Sequence, residues 1–152
     1  MRLIKRKNLS TGQAAFAALP WLPPDLCGSL DAILPFLAAS FHPELARIAL
    51  YGSWQRGEAS PASDVDLAVF LTPEVPWFDA EQGTVNRREA RKARRRWAAI
   101  EKKANRCKLD QRLYSIAVVT PGMLVYYASH GPVHLQNWVA ALERSVLLWE
   151  ET

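Results

Sequence analysis

Two aspartates lie two residues apart where an apolar stretch begins, in the motif Asp64-Val65-Asp66. The following residues, 67–71, are all apolar, which predicts a buried β-strand over 65–71. Alternate side chains of a strand point to opposite faces, so the two aspartates share a face with Cα atoms about 7 Å apart. Carboxylates this close repel each other unless a cation lies between them. Mg²⁺ favours one or two carboxylates together with substrate phosphates, so the pair predicts a magnesium site.

A glycine and a serine precede this pair and are suited to hold the phosphates. The apolar stretch 47–51 predicts a strand that ends at Gly52, where the backbone must turn sharply or approach a ligand closely. Ser53 offers a hydroxyl and a backbone N–H group at the start of a short helix, which favours an anion. Arg56 adds charge-assisted donors. These residues predict a phosphate-binding turn that faces the metal site from the adjacent strand.

A third carboxylate is expected from the next strand. The stretch 107–120 alternates and has β-branched residues towards its end, which predicts a strand that contains Asp110. Neighbouring strands lie about 4.8 Å apart, so Asp110 is expected beside Asp66. Three carboxylates that hold two cations stabilise both the attacking and the leaving oxygen of an in-line displacement at phosphorus. Asp110 would also be placed to take the proton of the nucleophile.

Each of these residues also has an explanation without catalysis. The two aspartates would then belong to a capped loop that enters a strand. Asp110 would be a surface residue paired with Arg112 or Lys108, and Arg56 would be a solvated loop charge. The spacing of the aspartates and the flanking strands favour the catalytic interpretation.

The rest of the pattern predicts the elements that position these residues. The predicted elements are a short helix over 12–19 capped by Ser10 or Thr11, a helix over 24–41 kinked or restarted near Pro35, strands over 47–51, 65–71 and 107–120, a long helix over 80–105, a helix from the Thr120 cap and Pro121 to about His130 with Gly131 as its stop, a helix over 133–142 and a strand over 145–150. This order predicts an α/β fold with few strands.

Composition sets broad limits on the type of protein. The 152 residues fit one domain, and no apolar run reaches the roughly 20 residues that a membrane span needs. Cys27 and Cys107 lie far apart in sequence and fit two reduced thiols better than a zinc site. We therefore expect a cytoplasmic protein without membrane association.

The charge is concentrated in one segment. Residues 81–106 hold ten Lys or Arg residues against three Glu, a net charge of +7, whereas the whole chain carries +4. A solvated helix with a narrow apolar stripe explains this pattern without a ligand. A phosphate-rich acceptor such as RNA, or an acidic protein partner, explains it with one.

The motif Gly52-Ser53, ten residues, then Asp64-Val65-Asp66 resembles the signature of the DNA polymerase β-like nucleotidyltransferases. The surrounding stretch is similar to the minimal nucleotidyltransferases of prokaryotes, with an Arg-Gly pair after the Gly-Ser and Ser63 before the first aspartate. The resemblance implies a small mixed β-sheet with helices packed on one face. It implies a single nucleotidyltransferase domain over 1–152, with an N-terminal extension over 1–24 and a long basic helix over 80–106 between the second and third strands.

The resemblance also implies roles for these residues. Gly52 and Ser53, with Arg56 and Ser63, would bind the nucleoside triphosphate, and Asp64, Asp66 and Asp110 would be the catalytic carboxylates that hold two Mg²⁺ ions. The reaction implied is transfer of a nucleoside monophosphate to an acceptor hydroxyl. Among the four nucleotides, AMP transferred from ATP is the first expectation. Small members of the family often act as the antitoxin of a toxin–antitoxin pair and AMPylate a HEPN-type ribonuclease, which makes a partner protein the expected acceptor.

Other outcomes stay open at this point. RNA or a small molecule are alternative acceptors, and a binding module with little or no catalysis, using residues 81–106, is the alternative function. Trp54 departs from the family pattern, in which a polar residue is common. Trp54 and Trp77 flank the predicted cleft in sequence, and one of them could stack on a base. The sequence leaves the oligomeric state open.

Overall fold

The structure of the protein is a computed structural model that describes residues 15–72 and 75–151. Its helices are α1 (Pro24–Ser40), α2 (Ser53–Arg56), α3 (Arg87–Cys107), α4 (Pro121–Ser129) and α5 (Val133–Glu143), and its strands are β1 (Leu45–Tyr51), β2 (Val65–Leu71), β3 (Phe78–Asp79), β4 (Thr84–Val85), β5 (Tyr114–Val119) and β6 (Val146–Glu150). A helical turn over 15–18 precedes α1. The predicted caps Ser10 and Thr11 lie outside the described residues. Within the described ranges, no helix is both long and apolar enough to cross a membrane.

Four strands form one mixed sheet in the order β5-β2-β1-β6. The central strand β1 is antiparallel to both β2 and β6, whereas β2 is parallel to β5. A parallel pair needs a crossover connection, and α3 provides the one between β2 and β5. The α/β class and the mixed sheet predicted from the sequence are confirmed.

Helices cover both faces of this sheet. On the α1/α3 face, Val65, Leu67 and Val69 of β2 join a core with apolar residues that recur along α1, such as Leu30 and Ile33. The α4/α5 face forms a second, smaller core. Its members include Ala49, Ala68, Phe70, Val119 and Leu142, with Leu124, Ala117 and Trp138 packed against them. The expectation of helices on one face is therefore corrected. The chain must return from β5 at one edge to β6 at the other, and α4 and α5 make this return across the second face.

The long basic helix begins later than expected. Periodicity alone predicts a helix over 80–105, but the structure has a small hairpin of β3 and β4 before α3. Asp79 accepts hydrogen bonds from two backbone N–H groups of the turn, and Gly83 has a φ of 68°. The Asn86 side chain then caps α3 by accepting from the N–H of Glu89 at 3.3 Å. Turn and cap chemistry, not the apolar period, sets the start of the helix.

The strand predicted over 107–120 is wrong in its first half. Residue 107 still belongs to α3, and 108–113 form a loop before β5. The side chain of Asn105 bonds both the N–H and the C=O of Tyr114, which fixes where β5 begins. Leu109 and Leu113 are apolar residues of this alternating stretch but are 70% and 51% exposed, so the alternation there does not reflect burial.

The remaining boundaries follow the sequence closely. β2 spans the predicted residues, and α1 continues through Pro35 as one helix instead of restarting. The Thr120 side chain caps α4 by accepting from the N–H of Met123 at 3.3 Å. Gly131 follows the helix with a φ of 83°, as a stop residue should.

Candidate active site

The Gly-Ser turn and the aspartate pair lie at the same end of the sheet. Gly52 and Ser53 follow the last residue of β1, whereas Asp64 and Asp66 lie at the start of β2. Since the two strands are antiparallel, the end of one meets the start of the other, and Tyr51 pairs with Asp66 in the register. The structure thus brings together the two halves of the motif that the sequence separates by ten residues.

Gly52 and Asp66 are in direct contact. Gly52 has φ 79° and ψ −157°, a backbone region that is essentially restricted to glycine. A Cβ atom at this position would overlap Oδ2 of Asp66 and would lie 3.1 Å from its Cγ. The bare backbone is therefore what allows the turn and the carboxylate to share one small space.

The electrostatics of the pair favour a cation. Burial raises the pKa of Asp66 above its usual value, and the neighbouring charge of Asp64 raises it further. The charge of Arg56 acts in the opposite direction but does not reverse the shift. Asp64 is exposed and Asp66 is half-buried, so the pair faces solvent. A divalent cation between the two carboxylates would remove the repulsion that raises this pKa.

The short helix α2, which carries Ser53, is held in place by hydrogen bonds of two tryptophans. Trp54 is buried, and its Nε1 donates to the backbone oxygen of Ser63 at 3.1 Å. Trp21 in turn donates from its Nε1 to the backbone oxygen of Trp54 at 2.6 Å. Gly57 ends α2 in the left-handed conformation. The expectation that Trp54 could stack on a base is wrong because its ring packs in the core of the α1/α3 face.

Ser63 shapes the loop that leads into the aspartates. Its Oγ accepts from the N–H of Ser60 at 2.9 Å and lies 3.1 Å from the Ser60 hydroxyl. Arg56 is exposed and forms an ion pair with Glu58 at 2.9 Å. An exposed pair of this kind contributes little to stability, so Arg56 can exchange Glu58 for a phosphate at small cost. Nucleotide binding by Ser53, Arg56 and Ser63 stays a prediction.

Asp110 does not lie beside Asp66. It belongs to the loop 108–113, and its carboxylate accepts from the Tyr114 hydroxyl at 2.6 Å and from the N–H of Arg112 at 2.8 Å. Tyr114 is fully buried in the core of the α1/α3 face. Asp66 alternates with Val65 and Leu67 and so points to the opposite face. The predicted juxtaposition of the two carboxylates is therefore wrong, because the strand starts four residues after Asp110.

The residue that does stand beside Asp66 on β5 is Ser115. The parallel register pairs Asp66 with Ser115, and Ser115 shares its face with Ala117 and Val119 of the α4/α5 core. Among the described residues, no group of three His, Cys, Asp or Glu side chains is arranged to hold a metal ion. A cation held by Asp64 and Asp66 would take its remaining ligands from substrate or water. The sequence could have identified Ser115 as the partner of Asp66 only if the start of β5 at Tyr114 had been known.

Asp110 instead anchors a buried polar network behind the site. Burial alone would raise its pKa, but hydrogen bonds from Tyr114, Arg112 and Ser29, with the charge of Arg112, hold it below the usual value. The guanidinium of Arg112 also pairs with Asp25 at 3.0 Å. The same burial and the bond to Asp110 raise the pKa of Tyr114. The alternative in which Asp110 pairs with Arg112 is confirmed by an ion pair at 3.3 Å, although Asp110 is buried and not on the surface. The contacts with Ser29, Asp25 and Tyr114 had no signal in the sequence, because these residues lie on α1 and β5.

Arg112 connects this network to the candidate site. Its Cζ lies 4.9 Å from the centre of the Trp54 ring, a cation–π contact beneath the helix that carries Ser53. Its Nε is buried and has no hydrogen-bond partner among the described residues. The network thus supports the phosphate-side turn from the core without contacting the aspartate pair.

Tyr51 is a site residue that the sequence reasoning missed. It pairs with Asp66 across the β1–β2 register and is partly buried. Burial raises its pKa, the nearby Asp66 raises it further, and a hydrogen bond with Trp138 lowers it. Tyr51 and Trp138 therefore form an aromatic wall beside the carboxylates on the α4/α5 face.

A cavity lies at the other end of the sheet. It has a volume of about 440 Å³ and is lined by residues that include Phe41, Leu71, Trp77, Lys92 and Trp97. Leu71 is the last residue of β2, whereas Asp66 is near its start, so this cavity is separate from the aspartate pair. Trp77 is therefore remote from the candidate site, and the expectation that it could stack on a base there is wrong.

Comparison with known families agrees with this geometry. Residues 31–124 match the nucleotidyltransferase domain family, and the match includes the Gly-Ser turn, both aspartates and all of β5. No curated protein matches the chain. The matched segment covers more than half of the 152 residues. The chain therefore belongs to the nucleotidyltransferase domain family and is a nucleotidyltransferase, an enzyme that transfers a nucleoside monophosphate.

Proposed function

We propose that this nucleotidyltransferase uses Mg²⁺ and ATP to transfer AMP to a hydroxyl group of a partner protein. The observation that carries the proposal is the contact of the Gly52 backbone with the Asp66 carboxylate, beside Asp64. It joins a phosphate-binding turn to a cation-binding pair at one end of the sheet. The choice of ATP rests on the resemblance to minimal nucleotidyltransferases.

The residues present fit a divalent cation. Asp64 and Asp66 supply hard oxygen ligands, and a bound cation would relieve the repulsion between the two carboxylates. When bound, Mg²⁺ would neutralise the charge of the triphosphate and of the aspartates. The two-ion arrangement expected from the sequence included Asp110, which lies in the loop before β5, whereas Ser115 is the β5 residue that pairs with Asp66.

The chain itself would bind and orient the substrates. Ser53, the backbone N–H groups at the start of α2 and Arg56 would hold the triphosphate. The acceptor oxygen would form a bond to the α-phosphorus, and the bond from that phosphorus to the oxygen shared with the β-phosphate would break. Pyrophosphate leaves, and the proton of the hydroxyl passes to solvent. Rate acceleration would come from positioning and charge neutralisation, as in other phosphoryl transfers.

An open site supports a macromolecular acceptor. Asp64 and Arg56 are exposed, and Asp66 and Ser53 are only partly buried. A hydroxyl on the surface of another protein can reach such a site directly. By the resemblance, that protein is a HEPN-type ribonuclease, and the pair acts as a cytoplasmic toxin–antitoxin system in which AMPylation silences the toxin.

Label transfer tests the reaction. The purified protein is incubated with Mg²⁺, one of the four α-labelled nucleoside triphosphates and lysate of the source cell. The control is an Asp64→Asn/Asp66→Asn variant, which keeps side-chain size and removes charge. We expect ATP to label a discrete protease-sensitive band that the control does not label. Label on an RNase-sensitive band would overturn the protein acceptor, and label from another nucleotide would overturn the choice of ATP.

A further inference from the structure

The exposed face of α3 is made almost wholly of basic residues. Ten of its 21 residues are Lys or Arg, and all ten are exposed: Arg87, Arg88, Arg91, Lys92, Arg94, Arg95, Arg96, Lys102, Lys103 and Arg106. Between Arg87 and Arg106, the exposed residues that are not basic are Glu89, Ala98 and Ala99. We call these ten residues the basic face. The positive charge is confined to this helix and is not spread over the whole protein surface, because the rest of the chain is net negative.

The two acidic residues of α3 do little to neutralise this face. Glu101 accepts from the backbone N–H of Ile116 at 2.9 Å and so turns towards the sheet. Glu89 reaches Lys92 at 3.5 Å, and Arg96 donates to the backbone oxygen of Ser40 at 3.2 Å. Within residues 15–72 and 75–151, the other eight members of the basic face have no hydrogen-bond or ion-pair partner.

This arrangement costs the isolated helix stability. Five like-charge pairs lie four residues apart: Arg87 and Arg91, Arg88 and Lys92, Arg91 and Arg95, Lys92 and Arg96, and Lys102 and Arg106. Each such pair destabilises a helix by about 0.2–0.5 kcal/mol, so the five pairs together cost on the order of 1–2.5 kcal/mol. A bound polyanion would turn this repulsion into attraction.

The opposite side of α3 fixes the basic face in place. Ala90 and Ala104 are buried, and Trp97 and Ile100 pack against the core. Asn105 bonds the backbone of β5. The basic residues are thus carried on a preformed rod that does not have to fold when its ligand binds.

We propose that the basic face of α3 binds the phosphate backbone of a nucleic-acid duplex. At 1.5 Å per residue, 21 residues span about 31 Å, so the ten cations average about one per 3 Å of axis, with seven of them in 87–96 and three in 102–106. One strand of a duplex carries one phosphate per about 3.4 Å of axis, which is a close match. This binding goes beyond the transfer reaction and does not depend on it.

The composition of the face selects this partner over others. Protein interfaces concentrate aromatic and apolar anchors in their centre, and the basic face presents only two alanines. Binding to single-stranded bases needs exposed aromatic rings, whereas Trp97, the aromatic residue of α3, packs against the core. Seven of the ten cations are Arg, whose guanidinium group binds phosphate oxygens in pairs.

Fluorescence anisotropy with labelled 20-base-pair RNA and DNA duplexes of the same sequence tests the proposal. The variant is Arg91→Gln/Arg94→Gln/Arg95→Gln, which keeps helix propensity and removes three charges from the centre of the face. Arg144→Gln, at an exposed arginine outside α3, is the control for net charge. Circular dichroism and thermal melting establish folding, and we expect the triple variant to melt no lower than the wild type, because repulsion is relieved.

We expect the wild type to bind duplex with a strong dependence on salt. The slope of log K against log salt should fall by about 0.9 for each phosphate that a variant no longer neutralises, so by up to about 3 in the triple variant and little in Arg144→Gln. The RNA and DNA arms show which duplex is preferred. Equal binding by the wild type and the triple variant would overturn the proposal, and so would displacement of the duplex by poly-glutamate at equal charge, which indicates an acidic protein partner.

Discussion

The carboxylate of Asp66 occupies the space that a side chain at position 52 would need. The contact joins the end of β1 to the start of β2, so the phosphate-side turn and the metal-side carboxylate cannot move independently. Gly52 is therefore not simply a flexible turn residue. Its backbone conformation and the missing Cβ are both requirements of the site.

Gly52→Ala should damage both the fold and the site. The strained φ costs about 1–3 kcal/mol, and the overlap with Asp66 must displace the carboxylate. We expect a lower melting temperature and loss of Mg²⁺-dependent stabilisation. Gly131→Ala is the matched control, because Gly131 also has a positive φ but a Cβ there meets nothing closer than 3.5 Å. Equal Mg²⁺ responses in the two variants would show that the Gly52 contact does not support the site.

Asp66→Asn should stabilise the metal-free protein and abolish transfer. The pKa of Asp66 is raised in the folded state, so folding is favoured at low pH and loses stability as the pH rises from the usual Asp pKa through the raised value. Asn is neutral and removes this loss. Thermal melting from pH 3.5 to 7 measures it, and a wild-type profile that matches the variant would contradict the shift.

Mg²⁺ should stabilise the wild type but not Asp66→Asn. A ligand at about ten times its Kd adds about 1.4 kcal/mol to the free energy of unfolding. The melting temperature is measured with and without Mg²⁺ in the presence of a non-hydrolysable nucleotide. A similar shift in both proteins would place the cation elsewhere.

Asp110→Asn should cost stability and leave the Mg²⁺ response intact. Removing one charge of a buried, hydrogen-bonded pair costs about 3 kcal/mol, because Arg112 and Tyr114 lose their partner. Asp25→Asn, which removes the exposed partner of the same arginine, should cost less than about 1 kcal/mol. Denaturant unfolding measures both. If Asp110→Asn abolished the Mg²⁺-induced shift, Asp110 would be a metal ligand after all.

The pH dependence of Asp110 has the opposite sign to that of Asp66. Its pKa is lowered on folding, so its contribution to stability is present above the usual Asp pKa and is lost as the pH falls through the lowered value. Acid unfolding of Asp110→Asn should therefore lack this component. The difference between the variant and the wild type should shrink towards pH 2.

Ser115→Asp should build the third carboxylate that the sequence suggested at Asp110. Ser115 pairs with Asp66 on the parallel strand β5 and faces the same side of the sheet. We expect a lower melting temperature without metal and a Kd for Mg²⁺ at least about tenfold tighter, or about 1.4 kcal/mol. Isothermal titration calorimetry measures this, with Ser115→Asn as the uncharged control. An unchanged Kd would show that position 115 does not reach the cation.

Local sequence determined the parts of the site that lie close together in the chain. The alternation of 65–71 and the apolar run of 47–51 predicted β2 and β1, and the motif between them predicted which end carries polar groups. Thr120, Pro121 and Gly131 predicted both ends of α4, because caps and stops act within one turn. These features depend on neighbours in sequence, so the sequence alone was sufficient.

The tertiary structure decided the features that depend on contacts between distant segments. Residues 107–113 alternate like a strand but have no sheet to bury them, and the bonds of Asn105 move the start of β5 to Tyr114. That shift places Ser115, not Asp110, beside Asp66, and a residue's face in a strand follows from where the strand begins. Periodicity specifies which element forms, whereas register and facing are set only when strands pair and side chains find buried partners.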